Sequence, residues 1–140
     1  MDKKIVGYTA GVFDLFHIGH LNILRKAKEN CDFLIVAVST DELCQEYKGK
    51  TPVICYKERA AIVEAIKYVD MVVPQENRDK LAALEKYNFD KMFVGDDWKG
   101  SELFNSLEPK FKEKGAEIVY FPYTQGTSST FLKETLNKIK

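Results

Sequence analysis

Phe33-Leu-Ile-Val-Ala-Val38 is an unbroken apolar run, rich in β-branched side chains, without the alternation that a strand with one wet face shows. Such a run fits a strand covered on both faces, as in a parallel sheet packed between helices. We expect it to be the central strand. Shorter strand patterns fall at 4–10, 71–73 (closed by Pro74), 91–95 and 117–121. Helical periodicity falls between them at 19–29, 57–66, 78–87 and 102–114, the last closed by Gly115, and a final helix is expected over 129–139. Strands separated by helices of this length form βαβ crossovers, so the fold class is α/β: a doubly wound, Rossmann-like parallel sheet with helices on both faces.

With 140 residues the chain has the length of one domain, 1–140. Its 21 Lys+Arg balance 21 Asp+Glu, which argues against the broad positive field of a nucleic-acid binder. No signal peptide and no apolar run near the ~20 residues of a membrane span are present, so a cytoplasmic location is expected, without membrane or nucleic-acid partners. Cys31, Cys44 and Cys55 fit neither a disulfide framework nor a zinc cluster and read as reduced thiols.

In a doubly wound sheet ligands sit beyond the carboxyl ends of the strands, which directs attention to the loops after Ala10, Ser39, Gly95 and Phe121. The first reads Ala10-Gly-Val-Phe-Asp-Leu-Phe-His-Ile-Gly-His20, and His17 and His20 are the chain's only histidines. Three apart at a strand-to-helix junction, they share one face of the first turn, beside backbone N–H groups that attract anions. Gly11 and Gly19 allow close backbone approach. A purely structural role and a zinc site are the competing readings, and the zinc site lacks a third ligand nearby. The last loop, Tyr123-Thr-Gln-Gly-Thr-Ser-Ser-Thr130, carries more hydroxyls than one helix cap requires. Tyr47-Lys-Gly-Lys-Thr-Pro52 sets Lys48 and Lys50 around a glycine, where a cationic lid could neutralise a leaving pyrophosphate, with Arg59 on the next helix. Asp96 and Asp97 precede Trp98, the single tryptophan, at the fourth strand's end; carboxylates there suit Mg²⁺ or ribose hydroxyls.

Gly11-x-Phe13-Asp14-x-x-His17-x-Gly19-His20, with Thr-x-Gly-x-Ser-x-Thr over 124–130, resembles the cytidylyltransferases of the HxGH nucleotidyltransferase superfamily. Members acting on glycerol 3-phosphate are the best match. Ser39-Thr-Asp-Glu42, Glu58-Arg59, Tyr68-Val-Asp70 and Gly95-Asp-Asp-Trp98 extend the likeness from the first strand to the last helix. The resemblance implies a dimeric enzyme that joins CTP to a phospho-alcohol with Mg²⁺ carried on the nucleotide phosphates, releasing pyrophosphate without a covalent enzyme intermediate. It assigns His17, His20, Lys50 and Arg59 to catalysis on the phosphates. Gly11, Val12, Phe13, Asp14, Gly19, Asp96, Asp97, Tyr123, Thr124, Gly126, Ser128, Ser129 and Thr130 would bind the nucleotide. Lys48 and Trp98 would bind the acceptor, with Lys80 as the nearest candidate for a further acceptor-side lysine. No protein-held metal is implied. Tyr123 stands where the family usually has arginine, Lys67 where the glycerol-phosphate enzymes carry arginine, and Val12 where threonine is common.

Two other readings remain. An ATP-using adenylyltransferase of the same fold shares the histidine block, and product formation from CTP and ATP separates the two. A nucleotide-binding module without turnover is favoured by Tyr123. It is opposed by the cations and histidines gathered for charge stabilisation.

Overall fold

The computed structural model describes residues 4–122 and 129–139 of the chain. In order they form β1 (Val6–Gly11), α1 (Ile18–Glu29), β2 (Phe33–Ser39), α2 (Asp41–Lys48), α3 (Tyr56–Glu64), β3 (Met71–Gln75), α4 (Lys80–Tyr87), β4 (Lys91–Gly95), a single 3₁₀ turn (Asp96–Trp98), α5 (Glu102–Glu113), β5 (Glu117–Phe121) and α6 (Ser129–Ile139). The five strands make one parallel sheet in the order β3-β2-β1-β4-β5. This is the doubly wound α/β fold expected.

The apolar run divides its side chains between two cores. Leu34, Val36 and Val38 join Phe93 against Leu24 and Ala27 of α1 and Val63 of α3. Ile35 and Ala37 join Tyr8 and Met92 against Leu84 of α4 and Phe104, Leu107 and Phe111 of α5. Burial on both faces is thus as expected, but the run is not the central strand. That place belongs to β1, between β2 and β4. Apolarity reports that both faces are covered, not rank in the sheet, and β1 carries Gly7 where the side chains of Phe93 and Cys31 leave no room for a Cβ.

Local chemistry moves several boundaries. Helix α2 was not anticipated, since it buries only Leu43 and Cys44 and so carries a thin apolar stripe. Thr40 caps it by accepting from the Leu43 N–H, and Gly49, at φ 73°, ends it in the left-handed conformation that glycine adopts without penalty. Strand β3 continues through Pro74 to Gln75, which an edge strand permits because one side needs no donor. Asp79 caps α4 through the Ala82 N–H, so Arg78 lies in the preceding loop rather than in the helix. All three cysteines are free. Among the described residues no helix is long and apolar enough to cross a membrane.

Candidate active site

Strand order reverses at β1, and there the sheet opens. β1 pairs with β4 at Gly7 and Tyr8; further along, the Thr9 hydroxyl donates to the Phe93 carbonyl at 2.9 Å. Beyond this point lies a cavity of about 840 Å³ floored by Ala10, Phe93 and Val94, at the switch point where doubly wound folds hold ligands. Gly11, Val12, Phe13 and Asp14 form one wall, His20, Lys48 and Lys50 face them, and Trp98 and Lys133 complete it.

The wall is held under strain. Phe13 and Leu15 adopt φ of 55° and 51°, a region disfavoured for side chains with a Cβ. Asp14, 2% exposed between them, accepts the N–H groups of Val53 (2.8 Å) and Ile54 (2.9 Å) and pairs with Lys133 at 3.0 Å. Burial works against its anion, but those donors and the lysine outweigh it and hold the carboxyl below its ordinary value. One side chain thus ties the loop after β1 to the segment before α3 and to α6.

His17 and His20 are interlocked at the start of α1. His17 is the N-cap and accepts the Gly19 N–H on Nδ1 at 3.0 Å, while His20 Nδ1 accepts the His17 N–H at 3.1 Å, a reciprocal capping box. The ring centroids are 4.0 Å apart, and Phe13 and Phe16 flank His20. With each Nδ1 used as an acceptor, each neutral ring carries its proton on Nε2 as a donor. Burial lowers the pKa of both; that of His20 falls to about 4, with repulsion from His17 adding and Asp14 opposing. At neutral pH the pair carries two uncharged Nε2–H donors, and of the two His20 lines the larger cavity.

Arg59 is placed differently from the sequence reading. It is 1% exposed, and its guanidinium donates to the carbonyls of Ile54, Val12 and Ser39 and to Asp41 Oδ1. The fork is therefore turned into the protein, where it fastens three loops from behind. Asp41 also accepts the Tyr56 N–H. Lys48 and Lys50 both line the cavity, Lys48 from the last residue of α2 and Lys50 just past Gly49. Asp96 and Asp97 are exposed between Gly95 and Trp98, outside the lining. Lys67 is exposed beside Tyr68. Tyr123, Thr124, Gly126 and Ser128 lie outside the described residues, and of Ser129 and Thr130 only the backbone is described, as the start of α6.

A second cavity, about 240 Å³, adjoins the first across Ala10, Gly11, Val12, Val94 and Trp98. Arg78, Lys80 and Tyr47 face into it, and Trp98 packs on Phe104 at its base, 5.4 Å between centroids. The loop after β3 supplies Arg78; it too follows the carboxyl end of a parallel strand, beside the four loops that the sequence singles out. Nor does the sequence single out Lys133, one of two lysines on the amphipathic helix α6. Its partnership with Asp14 is visible only in three dimensions.

A cytidylyltransferase-like family model matches residues 8–135. The glycerol-3-phosphate cytidylyltransferase of Bacillus subtilis is 40% identical over 135 residues, covering 96% of this chain and 97% of that one. The enzyme of the same name from Staphylococcus aureus is 38% identical, covering 96% and 95%. Among solved structures, a lipopolysaccharide core biosynthesis protein from Thermoplasma volcanium superposes with a TM-score of 0.72 at 26% identity, over 89% of this chain and all of that one. The match begins in β1 and ends in α6, and so takes in the paired histidines, both cavities and the wall between them: the chain belongs to the cytidylyltransferase-like family.

Proposed function

We propose that this chain is a CTP-dependent nucleotidyltransferase that transfers CMP from CTP to glycerol 3-phosphate, giving CDP-glycerol and pyrophosphate. The two enzymes described above carry that activity in their names and align over nearly the whole chain. The observation that carries the reading is the pair of cavities meeting at one thin wall, Ala10 to Val12 with Val94 and Trp98. A two-substrate transfer requires one site for a large polyphosphate and one for a small phosphorylated alcohol, with their reacting atoms in contact.

In this reading the nucleotide fills the larger cavity and the acceptor the smaller. An oxygen of the acceptor phosphate forms a bond to the α-phosphorus of CTP in line, as the bond from that phosphorus to the β-phosphate oxygen breaks and pyrophosphate leaves. No proton must move and no covalent enzyme intermediate is needed. The protein's work is placement and charge stabilisation. The Nε2–H groups of His17 and His20 donate to the oxygens of the pentacoordinate phosphorus. Lys50 takes charge from the departing pyrophosphate, and Lys48 stands between the donor phosphates and the acceptor. Ser128, Ser129, Thr130 and the start of α6 receive the outer phosphates, and Gly11 keeps the wall thin. Arg59 acts from behind, by holding the Val12 carbonyl.

Mg²⁺ bound to the triphosphate would further neutralise the pyrophosphate. Asp14 is committed to Val53, Ile54 and Lys133, so among the carboxylates lining the larger cavity the exposed Glu134 is an oxygen donor of the kind such an ion accepts. The chain is proposed to work in the cytoplasm as a homodimer, which sedimentation tests. Incubating the protein with glycerol 3-phosphate and either CTP or ATP, and following pyrophosphate and the coupled product, tests the activity. CDP-glycerol from CTP is expected; exclusive use of ATP would overturn the choice of nucleotide.

A further inference from the structure

One feature of the smaller cavity is not used by this mechanism: two cations flank the ring of Tyr47. The Arg78 guanidinium carbon lies 4.5 Å from the ring centroid, and the ammonium of the adjacent Lys48 lies 5.5 Å from it. One aromatic ring therefore carries a cation belonging to each cavity.

Arg78 sits in an exposed loop, and among the described residues it makes no ion pair. A guanidinium resting on a ring keeps its N–H edge available for a planar, two-point grip on phosphate. Lys80 faces the same cavity, its ammonium 5.8 Å from the Phe104 centroid. Burial lowers the Lys80 pKa, Arg78 lowers it further, and Asp79 opposes. The acids on this cavity do not cancel the pair: Asp79 spends one oxygen capping α4, and Glu76 is exposed. Two cations that repel one another across a small cavity are arranged for an anion.

We propose that Arg78, oriented by Tyr47, binds the acceptor phosphate together with Lys80, leaving the third phosphate oxygen toward the Gly11–Val12 wall. This rests on the acceptor assignment above and adds the groups that set acceptor affinity. Arg78 is then an acceptor-binding residue, and Tyr47 is a positioning residue that acts through it.

Trp98 is the chain's single tryptophan and lines this cavity, so its fluorescence reports occupancy. The experiment titrates wild type, Arg78→Gln, Arg78→Lys, Tyr47→Leu and Tyr47→Phe with glycerol 3-phosphate and with glycerol, and measures KM for acceptor and CTP. Losing one charge-assisted grip weakens glycerol 3-phosphate binding about tenfold in Arg78→Gln, leaving the KM for CTP unchanged. Arg78→Lys recovers part of the loss. Tyr47→Phe, which keeps the ring, stays near wild type, whereas Tyr47→Leu behaves like Arg78→Gln, and combining Arg78→Gln with Tyr47→Leu adds little. Glycerol produces no response. Wild-type acceptor affinity in Arg78→Gln, or an equal rise in the KM for CTP, overturns the proposal while wild-type turnover leaves the assigned reaction intact. Absence of both turnover and glycerol 3-phosphate binding in wild type removes the acceptor assignment and this proposal together.

Discussion

His20 Nδ1 accepts the backbone N–H of His17 at 3.1 Å, and this bond orients both catalytic candidates. It commits the neutral His20 ring to the Nε2–H tautomer and holds the first turn of α1 closed. His20→Ala removes the donor and is expected to lower turnover by about 100-fold or more, the usual range for one preorganised donor, with the KM for CTP changed by only a few-fold. His20→Gln, whose side-chain amide reaches toward the Nε2 position, retains more activity. Steady-state kinetics of the two variants check this; equal losses of turnover and CTP affinity in His20→Ala would confine the histidines to ground-state binding.

The same burial makes His20 a source of acid sensitivity. Its folded pKa of about 4 lies below the ~6.5 of an unfolded histidine, so the unfolded chain binds more protons between those values. The contribution to stability is complete above about pH 6.5 and is lost as pH falls toward 4. Urea unfolding from pH 7.5 to 4 should show falling stability across that window, and a smaller fall in His20→Gln. Ordinary carboxylates titrate mainly below it, and Asp14, whose carboxyl is held low, lower still.

Arg59 separates structural from catalytic importance. Removing its guanidinium leaves Asp41 and the carbonyls of Val12, Ser39 and Ile54 without their donor. Arg59→Ala is expected to lose about 3 kcal/mol of stability, and Arg59→Lys a large part of it, since an ammonium cannot span that fork. Denaturant unfolding measures the loss. Full stability with abolished turnover in Arg59→Lys would instead return Arg59 to the phosphates.

Gly7 shows how tightly β1 is enclosed. A Cβ there would lie 2.6 Å from Phe93 Cε2 and 2.7 Å from Cys31 Sγ. Gly7→Ala must push both side chains aside and should lose roughly 1–3 kcal/mol, the usual consequence of overpacking. A melting curve coincident with wild type would show that the Phe93 and Cys31 side chains yield without loss.

The parallel sheet was readable because Leu34 to Val38 have apolar neighbours on both faces, and the histidine site because a strand-to-helix junction fixes where residues three apart point. What could not be read were relationships across the chain. Ser39-Thr-Asp-Glu42 and Glu58-Arg59 stand out separately in the sequence, yet nothing in it says that Asp41 and Arg59 face one another at 2.6 Å, turning the arginine inward. α2 was hidden because Leu43 and Cys44 alone make its apolar stripe, too thin to stand out although Thr40 caps it and Gly49 ends it. Arg78 was assigned to a helix that Asp79 begins one residue later, which concealed its place in the second cavity.

Asp14 holds a strained loop in place, and its removal should release that strain. Phe13 and Leu15 on either side adopt left-handed conformations that each cost on the order of 1–2 kcal/mol. They persist because the Asp14 carboxylate accepts from Val53 and Ile54 and pairs with Lys133. In Asp14→Ala those two N–H groups and the lysine lose their acceptor, and Phe13 and Leu15 can relax toward negative φ. The relaxation recovers part of the loss, leaving a net destabilisation of about 2 kcal/mol, within the range for unsatisfied buried donors. The wall from Gly11 to Phe13 then moves, and turnover with CTP should fall further than stability alone explains, still depressed at temperatures where the variant is fully folded. Asp14→Asn keeps one accepting oxygen but turns an NH₂ toward donors, and should fall between wild type and Asp14→Ala on both measures. Wild-type turnover in folded Asp14→Ala would show that the wall keeps its place without this anchor.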